Sequence, residues 1–127
     1  MKTSDIRDYI KDNLSGFDSY TIGRIDTTKD KALCVYNKES SLNATAIGSK
    51  STYKHKKICV LIRYGRNCSY AEDKAQEVYN LFKGVHTVIN GMDSFFVMEF
   101  DEPIGLGVDA KGIYEYTIGF TATYKEV

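Results

Sequence analysis

The feature that most constrains this chain is the alternation running through residues 113–124. Tyr114, Tyr116, Ile118, Phe120, Ala122 and Tyr124 fall on one side of an extended chain, and Glu115, Thr117, Gly119, Thr121 and Thr123 fall on the other. A period of two is that of a β-strand, whose successive side chains point to opposite faces. At roughly 1.5–3 kcal/mol per large apolar side chain buried, this face is worth on the order of 10 kcal/mol before chain entropy is subtracted. A slip of one residue would turn the whole face to water, so the register is fixed. The remaining residues must supply neighbouring strands and a layer to cover that face.

The pattern predicts a helical cover. In residues 3–14, Ile6, Tyr9, Ile10 and Leu14 recur at helical spacing between charged positions, with Ser4 as the expected N-cap and Gly16 as the stop. Ser69 with Glu72 reads as a capping box opening a second helix, and Ala71, Ala75, Val78 and Phe82 form its apolar stripe before Gly84 ends it. Strands are expected over 20–25 and 31–36, joined as a hairpin through the polar residues 26–30. Residues 37–52 lack periodicity and read as a long loop, of the kind that in a compact domain is functional or disordered. Residues 53–64 form a strand, as do 85–89, followed by the turn signal Asn90-Gly91. Residues 95–101 carry bulk on both faces, Pro103 breaks them, and 105–107 are read as a loop. The expected fold is α+β, with a mostly antiparallel sheet of about five to six strands, two helices on one face, and the order α-β-β-β-α-β-β.

At 127 residues the chain fits one domain, 1–127, large enough to hold a core without disulfides or metal. Lys plus Arg balances Asp plus Glu at 17 each, which argues against a dedicated nucleic-acid coat or membrane-surface protein while leaving room for a local basic patch. The three cysteines, Cys34, Cys59 and Cys68, match no metal or redox spacing and are expected to be reduced thiols in a cytosolic product. Neither a signal peptide nor a membrane span is expected.

No catalytic constellation emerges. His55 lies between lysines at a strand start, and His86 follows a helix end, where a capping role suffices. Cys68 precedes the second helix and reads as a turn residue. Gly105-Leu106-Gly107 lacks the lysine and following helix of a phosphate loop, and Asp101, Glu102 and Asp109 match no calcium loop. No cofactor and no metal are expected. Lys54, Lys56 and Lys57, with Arg63, Arg66 and the aromatic Tyr53 and Tyr64, keep a nucleic-acid-binding α+β module open as an alternative.

The element order and the closing stretch carry a resemblance. A short helix is followed by two strands and a long polar loop, and a single long helix over 69–83 separates the central and C-terminal strands. The chain then closes on Glu102-Pro103-Ile104-Gly105-Leu106-Gly107-Val108-Asp109-Ala110-Lys111-Gly112-Ile113-Tyr114-Glu115-Tyr116-Thr117-Ile118-Gly119-Phe120. In this the chain resembles the tail-terminator family of long-tailed bacteriophages, which includes proteins labelled minor capsid proteins. The resemblance implies a virion protein made in the bacterial cytoplasm and a subunit of a six-fold ring. That ring stops tail-tube growth and joins the head connector, with the tube protein, the connector and DNA in the lumen as neighbours. It carries no catalytic residues over, and a head–tail connector is the alternative within the same particle. The interface residues expected on this reading are Lys54, Lys56 and Lys57; Ser41, Leu42, Asn43 and Ile47 of the long loop; and Phe96 and Met98.

Overall fold

A computed structural model describes residues 1–38 and 53–127. Its elements are α1 (Thr3–Asn13), β1 (Ser19–Ile22), β2 (Lys31–Asn37), β3 (Lys54–Tyr64), α2 (Cys68–Asn80), β4 (His86–Ile89), β5 (Met92–Met98), β6 (Ile104–Val108) and β7 (Tyr114–Glu126). They form an α+β fold whose seven strands make one mixed sheet, ordered β1-β2-β3-β7-β5-β4, with β6 also paired to β7.

β7 occupies the middle, as its alternation requires. Tyr116, Ile118, Phe120 and Ala122 are buried on the side that carries both helices. Phe82, at the end of α2, stacks on Phe120 with ring centroids 4.3 Å apart, and Phe96 of β5 meets both rings edge-on. Ala71, Ala75 and Val78 press the α2 stripe against the same layer, and Ile6 and Ile10 bring α1 beside it. Small residues on the first two turns of α2 let the helix approach closely before Phe82 fills the remaining depth.

Four local expectations change. β1 and β2 are parallel, with Tyr20 beside Leu33, so residues 20–36 form no hairpin and the sheet is mixed. Residues 23–30 instead return alongside β2 from Val35 back to its start: Gly23 N–H donates to Val35 O at 2.9 Å, and Gly65 N–H donates to Asp30 O at 2.9 Å. They pass on the side of β2 away from α1, where the Ile25 backbone approaches the Tyr36 hydroxyl and Ala32 and Cys34 are fully buried. A return over a four-residue strand needs only about 13 Å, within reach of an eight-residue connection at about 3.3 Å per residue.

The second change is at the helix starts. Asn67, not Ser69, caps α2, its side chain accepting from Tyr70 N–H at 3.1 Å. Arg66 fixes that turn through Lys111 O and Asp30, which places Asn67 at the entry to the helix. α1 likewise starts two residues early, with Lys2 at the cap and its N–H donating to the Asp5 carboxylate at 2.7 Å, so Ser4 lies inside the helix. Third, β5 begins at Met92, directly after the Asn90-Gly91 turn, where both residues take positive φ of 49° and 74°, as a two-residue hairpin of opposite-handed turn demands.

Fourth, residues 105–107 are strand and not loop. β5 pairs with the C-terminal half of β7, from Met92 beside Glu126 to Met98 beside Phe120. β6 then pairs with the N-terminal half, from Ile104 beside Thr117 to Val108 beside Tyr114. Both lie along one edge of β7, as a single partner interrupted at 99–103. Pro103 cannot donate to a ladder and marks the interruption, and a bulge with Gly107 at φ 92° absorbs one extra residue.

Candidate assembly surface

Among the described residues, no helix covers one broad area of the β-sheet. On that side His86 lies beside Phe95 and Val88 beside Asp93, across the β4–β5 ladder. Phe95 and Val97 then lie beside Thr123 and Thr121 of β7. Val88 and Val97 are more than half exposed, at 59% and 57%, although both sit in the body of strands. Aromatic and polar contacts organise the surroundings. Tyr53 meets Phe95 edge-on at 5.9 Å, and the Lys125 ammonium lies 4.8 Å from the Tyr53 ring centre. His86 Nε2 is 2.6 Å from Asp93 Oδ1, and His55 Nδ1 is 3.0 Å from Thr123 Oγ1.

Further along the same edge, every residue of β6 is exposed: Ile104, Gly105, Leu106, Gly107 and Val108. Its inner edge is satisfied by β7, and among the described residues no strand pairs with its outer edge. Natural edge strands are usually blunted by charge, proline or a cover. β6 has no charged side chain, and Pro103 stands before it and not within it.

The base of β6 is held rigidly. Arg63 is 3% exposed, and its guanidinium lies 2.6 Å from Asp109 Oδ2 and 3.5 Å from Glu115 Oε2. The other Asp109 oxygen accepts from Lys111 N–H and Ile113 N–H at 2.8 and 3.0 Å. The Ile113 amide, with Arg63 and the Lys111 amide after it, holds the Asp109 carboxyl below its ordinary pKa, against a smaller opposing effect of desolvation. This carboxylate ties the β6–β7 turn to β3. Tyr116, packed under Gly105 and 3.7 Å from Cys68 Sγ, has its hydroxyl pushed up to about 12, chiefly by burial and then by the Cys68 contact.

The expected interface residues are distributed unevenly over this structure. Lys54 and Lys56 do share a face, beside Tyr124 and Ala122, on the helix-bearing side; Lys57, beside Thr121, is on the opposite side. The three lysines therefore do not make one patch. Phe96 is only 7% exposed and belongs to the subunit's own core, and Met98 is half-buried against it. The outward bulk of β5 is Phe95 and Val97. Ser41, Leu42, Asn43 and Ile47 lie outside the described residues. Sequence reasoning missed β6 and the Arg63–Asp109 pair. Ile104, Leu106 and Val108 do alternate, but with glycines between them the pattern reads as turn chemistry.

Among the described residues no group of three or more His, Cys, Asp or Glu side chains is placed to hold a metal ion. Cys34 is buried, Cys59 is half-buried with Sγ 2.9 Å from Thr117 Oγ1, and Cys68 is exposed. No helix among them is long and apolar enough to cross a membrane.

The model of a family described as bacteriophage tail terminator protein matches residues 1–126. The chain belongs to this tail terminator family. It is thereby a structural protein of a phage tail. A search of curated proteins found no match to the chain.

Proposed function

We propose that the chain is the ring subunit that caps the head-proximal end of a phage or tailocin tail tube, stops its growth and provides the joint to the head connector. The family match along nearly the whole chain carries this reading. The exposed apolar residues of β4, β5 and β6 support it, because apolar strand residues left in water are stabilised once a neighbour covers them. A six-fold ring would be built from head-to-tail contacts between identical subunits, with the tube protein below and the connector above. The role is architectural, with no catalytic step assigned.

Deleting the reading frame tests it, with tail lengths read by negative-stain electron microscopy. Overlong tubes beside unattached, DNA-filled heads are expected. Tails of normal length beside unjoined heads would move the protein to the head side of the neck, and intact particles at full yield would refute the reading. Lys54 and Lys56 are proposed to face an acidic tube rim or the DNA path. Lys54→Glu with Lys56→Glu should then impair tail joining, whereas unchanged joining would mean that the two side chains are simply solvated.

A further inference from the structure

The two ends of the sheet are complementary to each other. At one end is the outer edge of β6; at the other is β1, which among the described residues pairs on one side only, with β2. Both edges are free of charged side chains, Ser19-Tyr20-Thr21-Ile22 in β1 and Ile104-Gly105-Leu106-Gly107-Val108 in β6. Each presents an exposed isoleucine, Ile22 at 42% and Ile104 at 36%. We infer that β6 of one copy of this chain pairs, antiparallel, with β1 of the next copy, making the lateral contact of the ring. The inference rests on the ring reading above and adds the surfaces that close it.

Strand direction selects this pairing. β6 runs against β7, β7 against β3, and β3 against β2, while β2 runs with β1. β6 therefore runs opposite to β1 within one subunit. An antiparallel β6–β1 contact leaves the second copy pointing the same way as the first, which is what repeated rotation about one axis requires. A parallel contact would invert the neighbour and could not close a ring.

The charges at the strand ends agree. In an antiparallel pair the start of β6 lies against the end of β1. Opposing Ile104 to Ile22 brings Asp101 and Glu102, just before β6, beside Arg24, just after β1. All three are exposed, and among the described residues none makes an ion pair. The neighbour's β1 would sit in the row that β4 begins, and the two do not collide. β4 pairs only with β5 residues up to Phe95, beside Thr123, whereas β6 reaches no further along β7 than Thr117.

Cysteine cross-linking of the purified full-length chain tests this, with Cys68→Ser removing the exposed native thiol and oxidised glutathione as the oxidant. The Ile22→Cys, Ile104→Cys double variant should give a ladder of disulfide-linked oligomers. Each single variant should give none, because the contact is head-to-tail. Glu102→Arg should reduce the linked fraction by about two- to fivefold, the scale of one exposed ion pair, and adding Arg24→Glu should restore it. Self-linking by Ile104→Cys alone, an equal ladder from an Ile22→Cys, Val88→Cys control, or no ladder at the highest soluble concentration would each overturn the pairing. Overlong tails in the deletion strain together with any of those results would retain the terminator reading and discard only this contact.

Discussion

The two halves of the sheet are finished differently. In β2, Ala32, Leu33, Cys34 and Val35 are all fully buried, because α1 covers one face and the 23–30 return covers the other. In β6 every residue is exposed, and in β5 the outward Phe95 and Val97 are too. Hydrophobic residues of similar kind end up in opposite settings: in the first half they are buried in the fold, and in the second they stay exposed. The comparison teaches that apolar content alone does not mark a core, and that the cover over each face does.

The comparison breaks most directly in the shared aromatic core. Phe82→Ala should cost about 3–5 kcal/mol, the usual loss for a buried phenylalanine, because Phe82 touches both Phe96 and Phe120. Thermal denaturation would check it, and a loss below about 1 kcal/mol would mean that the helix-side layer is not the organising core.

A smaller effect is expected at the turn that carries β6. Asp109→Asn should lower the melting temperature at neutral pH by loosening the link to Arg63. The wild-type carboxyl is held below its ordinary value of 3.8. Its contribution is therefore present above the unfolded pKa and is lost as the pH falls through the lower folded one. Melting curves of the two proteins should accordingly converge on acidification. A gap that persists at the acid end would assign the effect to packing instead.

Gly119→Ala should cost about 1 kcal/mol. A Cβ there would lie 2.6 Å from Glu99 Oε2, displacing that side chain from its 3.4 Å pair with Lys38. Glu99→Ala in the same chain should recover the loss, as urea titration would reveal. The least effect on the subunit is expected at Val97→Asp, within about 0.5 kcal/mol, the usual range for surface substitutions. A large destabilisation there would make the open face part of the subunit's own fold and sharpen the contrast in the opposite direction.

Much of this was legible from periodicity. The β7 face, the Ala71–Phe82 stripe and the Asn90-Gly91 turn all follow from local pattern, because each is fixed by residues close in sequence. Partner choice was not. Residues 26–30 have turn chemistry that suits a hairpin equally well, and the parallel β1–β2 register, with Gly23 bonded to Val35 and Asp30 to Gly65, is visible only in the structure. In β5 both faces are bulky, so burial of Phe96 could not be read from size. Asp93 and Glu99 lie in phase with Phe95 and Val97, and they were the available sign that this side stays wet. β6 was hidden because Gly105 and Gly107 signal a loop to any reading of propensity, whereas the ladder with β7 overrides it.

The central proposal is that this chain terminates a tail tube through its open strand surface. The most direct measurement is the distribution of tail lengths in the deletion strain, complemented with wild-type protein or with Leu106→Lys. Leu106 is exposed, so this variant should fold normally. Wild-type protein should restore one length, and Leu106→Lys should leave tubes overlong. A single normal length in the strain lacking the protein altogether would contradict the account.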